Sequence, residues 1–167
     1  MTQTSGAEAT GPANHGGERP AVSADLPAIA QLDAACFGRA WTEEVYGQEL
    51  ERPFAQLYVV ERAGAIIGLS CTWIVSDEAH LLRIATAAAH RREGLGHRML
   101  SSVVSRARAA GCERIILEVG ASNVAAVSLY EKFVFERLGL RRGYYSNPPD
   151  DALVMQRVLS GADSATA

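Results

Sequence analysis

Apolar positions along the chain switch between two spacings, and each switch marks an element boundary. Ile29, Leu32, Ala35 and Cys36 share one helical face, with Asp25 as N-cap, Pro27 in the first turn and an end near Gly38. Thr42 caps a second short helix holding Val45, Tyr46 and Leu50. The spacing then changes to that of strands. Residues 57–61 run out, Ala63-Gly64 turns, and residues 66–75 return as a hairpin. Asp77-Glu78 turns the chain into a further strand over 79–88. Met99, Leu100, Val103, Val104 and Ala107 predict a helix over 97–110, closed by Gly111. Residues 114–119 form a short strand, apolar except for Glu118. Ser122 or Asn123 opens a helix that turns Val127, Leu129 and Tyr130 inward. Residues 133–140 predict a strand, 144–151 an irregular segment, and 152–159 a closing strand. Ala21 and Val22 suit a short first strand. Two helices, three strands, then helix, strand, helix and two strands predict an α/β (α+β) layer with a largely antiparallel sheet.

Composition narrows this picture. Residues 1–20 and 160–167 are small and polar without an apolar period, and read as disordered tails around one domain at 21–159. A chain of 167 residues can bury a sizeable core in one domain. A net charge of −3 argues against sequence-independent binding to nucleic acid. No apolar run reaches membrane-spanning length, and the N-terminus lacks the basic-then-apolar order of a secretory signal. Cys36, Cys71 and Cys112 are far apart and odd in number, which fits reduced thiols and a cytoplasmic setting. His80, His90 and His97 have no ligand spacing, so no metal site is expected.

Arg91-Arg92-Glu93-Gly94-Leu95-Gly96 lies at a strand-to-helix junction. Amides in the first helical turn have no partner inside the helix, and the helix dipole is positive there. Glycines let a phosphate approach that backbone, and Arg91 and Arg92 add positive charge. The stretch therefore reads as a cradle for a pyrophosphate, although such glycine pairs also occur as plain tight loops.

Arg91-x-x-Gly94-x-Gly96 resembles the pyrophosphate loop of the GNAT superfamily of acyl-CoA N-acyltransferases. Leu117-Glu118-Val119-Gly120-Ala121-Ser122-Asn123, Ala125-Ala126 and Leu129-Tyr130-Glu131 are similar to its RimI-like branch, which acetylates the N-terminal alanine of a small-subunit ribosomal protein. Arg141-Arg142-Gly143-Tyr144-Tyr145 and Asp151-Ala152-Leu153-Val154-Met155 are similar to the same branch. The resemblance implies helices on both faces of the sheet and a V-shaped splay between its two central strands. It implies acetyl-CoA as cosubstrate, with the backbone of Ile84, Ala85 and Thr86 along the pantetheine arm. Amides from Arg92, Glu93, Gly94, Leu95, Gly96 and His97 would hold the pyrophosphate, and Asn123 would reach the arm. Glu118 is implied as general base and Tyr130 as the acid that protonates the leaving thiolate. Trp41 and Tyr145 would wall the acceptor pocket, beneath a loop carrying Arg141 and Arg142.

The chemistry agrees with an N-terminal acceptor. Transfer from a thioester requires a neutral amine. An α-amine has a pKa of about 7.7–8.0 and lysine about 10.4, so neutralising them near pH 7 costs about 1 and about 4–5 kcal/mol respectively. Burial of Glu118 on its apolar strand would raise its pKa toward the range of a useful base. One such carboxylate suffices for an α-amine. A lysine or small amine as acceptor, or a CoA-binding module without turnover, remain alternative readings.

Three positions depart from the branch. Val134 stands where Gly is usual, Gly120 replaces an Arg, and Ala40-Trp41 replaces Pro-Trp. A β-branched Val134 resists a left-handed turn, so the turn after the helix is expected to differ or to carry strain.

Overall fold

The computed structural model describes residues 16–159. Of the tails expected over residues 1–20 and 160–167, residues 1–15 and 160–167 lie outside the described residues. Seven strands form one sheet in the order β1-β2-β3-β4-β5-β7-β6. They are β1 (Gly17–Pro20), β2 (Ala55–Arg62), β3 (Ala65–Val75), β4 (Glu78–Thr86), β5 (Arg114–Gly120), β6 (Glu136–Ser146) and β7 (Pro149–Val158). The helices are α1 (Leu26–Cys36), α2 (Glu43–Glu51), α3 (Leu95–Ala109) and α4 (Val124–Lys132).

Every strand pair is antiparallel except β4 with β5. That parallel pairing runs only from Glu78↔Arg114 to Leu81↔Leu117. A bulge follows at once, because Leu81 pairs with Thr72 while Arg83 pairs with Cys71, leaving Leu82 extra. Beyond it β4 stays with β3 as far as Thr86, and β5 stays with β7 as far as Gly120. The two central strands therefore diverge. Among the described residues, no strand lies beside the backbone edge of β4 beyond the bulge on that side.

Helices cover both faces. On one, α1 and α2 bury Ile29, Leu32 and Tyr46 against Leu57, Leu69 and Ala85. On the other, Leu100, Val103, Val127 and Tyr130 of α3 and α4 pack on Ala79, Leu81, Ile115, Leu117 and Met155. Each fully buried aliphatic side chain is worth roughly 1.5–3 kcal/mol relative to exposure. Alternation along β5 sends Ile115, Leu117 and Val119 into this second core. Glu118 is thereby turned to the opposite face.

The first strand lies at Gly17–Pro20 rather than Ala21-Val22, so ordered structure begins before residue 21 and the tail cannot extend to Pro20. Gly-Glu-Arg-Pro has no apolar alternation. Charged contacts hold it instead: Arg19 bonds Asp25 and Glu61, and Glu18 accepts from Arg106 of α3 at 2.9 Å. Asp25 precedes α1 as expected, but its carboxylate takes the Val22 N–H and Arg19 rather than a helical amide.

The strand expected from 133 begins at Glu136, because Phe133 to Phe135 close α4. Phe135 N–H bonds Tyr130 O and Val134 N–H bonds Glu131 O, each at 3.0 Å. This paired closure wants glycine at its left-handed residue. That residue is Val134, at φ +64°, so the usual turn is kept and the strain is carried. The segment expected to be irregular instead extends β6 through Tyr144 and Tyr145.

Candidate active site

The splay opens a groove of about 1180 Å³. Ile84, Ala85, Thr86, Gly96, Asn123 and Leu129 line it, as do Trp41, Arg83, Glu118, Tyr130, Tyr144 and Tyr145. Of the glycine-loop residues, Gly96 alone borders the groove; Arg91, Arg92, Glu93, Gly94, Leu95 and His97 form the loop and first turn beside it.

That loop is shaped by two left-handed residues, Arg92 at φ +66° and Gly94 at φ +76°. Arg98 N–H is the first amide to bond back into α3, reaching Gly94 O at 3.1 Å. The amides of Leu95, Gly96 and His97 therefore lack helical acceptors. Leu95 anchors the turn by burying its side chain with Val60, Ile67 and Met99. The carboxylate of Glu93 accepts from Arg62 at 2.8 Å and lies 3.4 Å from His90. The Arg62 bond holds the Glu93 carboxyl below the usual carboxylate range. His97 packs on Phe133, with ring centroids 4.7 Å apart.

Asn123 caps α4, its Oδ1 accepting from Ala126 N–H at 3.2 Å. Its side-chain NH₂ has no partner among the described residues. Tyr130, 5 % exposed, rests edge-on against Phe135 at 5.6 Å. Burial pushes its phenol above the ordinary tyrosine range. No hydrogen-bond partner of its hydroxyl is found among the described residues.

Glu118 is less enclosed than its strand suggests. Its side chain is 28 % exposed and lies 3.3 Å from Nη2 of Arg141. The Glu118 carboxylate beside Tyr144 raises the Tyr144 phenol. Glu118 is therefore partly buried, with the guanidinium of Arg141 from β6 beside it. Tyr145 is half-buried, edge-on to Tyr144 at 5.1 Å; burial, then the charge of Glu118, pushes its phenol up.

Two loops close over this end. An ideal Cβ on Gly38 would lie 1.8 Å from the Asn147 carbonyl oxygen, so the α1–α2 loop and the β6–β7 turn meet at a point only glycine allows. Beneath them lies a polar hub that sequence reasoning missed. Asp33 is fully buried and accepts from Tyr46 Oη at 2.5 Å and Trp41 N–H at 2.8 Å. Nε of Arg83 lies 3.2 Å from Asp33 Oδ2, and the guanidinium sits over the rings of Phe37 (4.2 Å) and Trp41 (4.7 Å). Burial and the Asp33 bond push the Tyr46 phenol far up, so it remains a donor. One signal was available: Asp33 interrupts the stripe of Ile29, Leu32 and Cys36, and a carboxylate on a buried face requires partners.

Gly120 has a local explanation. A Cβ there would lie 2.7 Å from Asp150 Oδ2. Asp150 accepts from Ser122 N–H and Oγ, which hold its carboxyl below the usual range. An arginine at 120 would displace this contact. No group of three His, Cys, Asp or Glu placed to hold a metal is found among the described residues. No helix among them is long and apolar enough to cross a membrane.

Residues 26–135 match the acetyltransferase (GNAT) family. The putative ribosomal protein bS18-alanine N-acetyltransferase of Bacillus subtilis is 34 % identical over 132 residues, covering 78 % of this chain and 87 % of that one. The ribosomal protein bS18-alanine N-acetyltransferase of Escherichia coli is 30 % identical over 138 residues, covering 81 % and 93 %. A crystal structure of the Escherichia coli ribosomal-protein-S18-alanine N-acetyltransferase superposes with a TM-score of 0.80 at 27 % identity, covering 90 % of this chain and 98 % of that one.

Proposed function

The chain belongs to the acetyltransferase (GNAT) family and is an N-acetyltransferase, and we propose that it moves the acetyl group of acetyl-CoA directly onto the α-amine of a protein N-terminus, first among them the N-terminal alanine of a small-subunit ribosomal protein. The bS18-alanine relatives support that acceptor. Three thiols outside any disulfide support a cytoplasmic setting for it.

Acetyl-CoA fits what the chain presents. The β4 edge at Ile84, Ala85 and Thr86 is left without a strand on the β5 side and can pair with an extended amide arm. The free amides of Leu95, Gly96 and His97, at the positive end of α3, suit a pyrophosphate. Asn123 offers an amide NH₂ that has no partner among the described residues. These residues form the donor end. Trp41, Glu118, Tyr144 and Tyr145 form the acceptor end.

Acetyl-CoA supplies an acetyl group on a thiolate leaving group. Glu118 accepts the proton of the incoming ammonium, directly or through water. Neutralising an α-amine near pH 7 costs only about 1 kcal/mol, within reach of one half-buried carboxylate. Arg141 and Tyr144 orient that carboxylate. Tyr130 gives its proton to the departing sulfur. Burial raises its phenol, which favours the protonated form needed for that role. Transfer in a ternary complex requires no enzyme nucleophile.

The observation that carries this reading is that one groove holds a half-buried carboxylate and a buried phenol, without a hydrogen-bond partner among the described residues, beside a strand edge unpaired among them and a helix N-terminus. The test is turnover with short peptides beginning with the ribosomal protein's alanine, against the same peptide with a blocked N-terminus and a free lysine. Mass spectrometry locates the acetyl group. Acetylation of the α-amine alone is expected. Acetylation of lysine alone would overturn the acceptor, and acetyl-CoA binding without transfer to either would overturn N-terminal acetylation.

A further inference from the structure

Arg83 stands at the junction between the two ends of the groove. The bulge at Leu82 turns it to the α1 face, in the same strand as the Ile84, Ala85 and Thr86 edge. Its side chain is 15 % exposed and its carboxylate partner, Asp33, is fully buried. Its Nη2 donates to the Arg39 carbonyl at 2.9 Å. The guanidinium lies over both Phe37 and Trp41. Asp33, which Arg83 charge-balances, also takes the Trp41 N–H and the Tyr46 hydroxyl. The loop that carries the Trp41 wall is therefore pinned at the Arg39 carbonyl, at the Phe37 and Trp41 rings and at the Trp41 amide. Every one of those pins passes through Arg83 or its carboxylate partner.

We propose that Arg83 is the positioning residue that sets acceptor selectivity, by locking the Phe37–Trp41 wall to the strand that carries the donor edge. The proposal rests on the acetyl-transfer reading above and names what that site selects by. A rigid indole wall fixes how much room the acceptor's first side chain has beside the amine. A planar fork that stacks on two rings while bonding a carbonyl and lying in ion-pair range of a buried carboxylate has no equivalent in lysine. Arg83→Lys keeps a cation for Asp33 and loses the stacking and the Arg39 bond. It is therefore expected to loosen the wall and spare the fold.

The experiment compares native enzyme with Arg83→Lys on peptides that differ only in their first residue, alanine against leucine. We expect the acceptor KM for the alanine peptide to rise about tenfold, since misplacing a positioning wall by a fraction of an ångström has effects of this order. The preference for alanine over leucine should shrink by a similar factor. The acetyl-CoA KM and the melting temperature should stay near native. In a Trp73→Phe background Trp41 is the sole tryptophan, and acrylamide quenching of its fluorescence should rise in the lysine variant.

Native selectivity and unchanged quenching would overturn the proposal. So would equal losses in acceptor KM, donor KM and stability, which mark a purely structural arginine. Arg83→Met with Asp33→Asn removes both charges together and serves as a second variant; loss of selectivity there is expected, and native selectivity there overturns the proposal. Failure of native enzyme to acetylate any N-terminus would instead defeat the acceptor reading, while the quenching result would still decide whether Arg83 locks the wall.

Discussion

At the donor end the groove offers backbone: an unpaired strand edge on β4 and three free amides opening α3. At the acceptor end it offers side chains: Glu118 held by Arg141 and Tyr144, and an indole wall held by Arg83 and Asp33. The donor end depends on where the chain bends, and conformational positions such as Gly94 decide that. The acceptor end depends on long-range contacts. Gly38 touches Asn147, and Asp33 reaches Trp41, Tyr46 and Arg83. A backbone site tolerates side-chain drift and suits a cosubstrate common to a family. A side-chain site can change by single substitutions and suits an acceptor that varies.

Substitutions can break that contrast. The largest effect is expected for Glu118→Gln, with kcat/KM for the peptide falling about 10²–10⁴-fold. The acetyl-CoA dissociation constant, measured by calorimetry, should not move; a matching loss of acetyl-CoA binding would merge the two ends. Tyr130→Phe should lower kcat about 10²-fold at near-native acetyl-CoA binding. Because burial raises the Tyr130 phenol, its deprotonation is displaced to higher pH, so kcat should show no alkaline loss from this group below about pH 10.

Gly38→Val forces a side chain into the Asn147 carbonyl and should part the two loops. The acceptor KM should rise, and stability should fall by about 1–3 kcal/mol in urea unfolding, as for other overpacked sites. Gly94→Ala meets no atom within 4 Å, yet sits at φ +76°. Its cost of about 1–2 kcal/mol is backbone strain, and only the acetyl-CoA KM should follow. The smallest effect sharpens the contrast from outside the groove. Val134→Gly should add about 0.5–1 kcal/mol of stability, since it relieves a left-handed valine at the expense of chain entropy. Activity should be unchanged.

Much of the fold was legible because it is written at short range. Thr42 does cap α2, Gly111 is left-handed after α3, and the helical stripe of Met99, Leu100, Val103 and Val104 is buried. The glycine loop lies where the strand-to-helix switch placed it. What escaped is non-local. The β1 strand has no apolar pattern and is held by ion pairs to residues far along the chain. Glu118 looked buried from its strand alone, and its exposure is set by β6, two strands away in the sheet. Gly120 read as a lost arginine until Asp150 was seen against it.

By itself the sequence determined the order of most helices and strands, the mixed sheet and the loop that opens α3. Those properties follow from spacing, capping and glycine placement, which act within a few residues. The tertiary structure alone decided that β4 and β5 part after Leu81, that Gly38 meets Asn147, and that Arg83 meets Asp33, Phe37 and Trp41. Each depends on close packing between segments distant in the chain, where a fraction of an ångström decides contact or collision and no local pattern carries the answer.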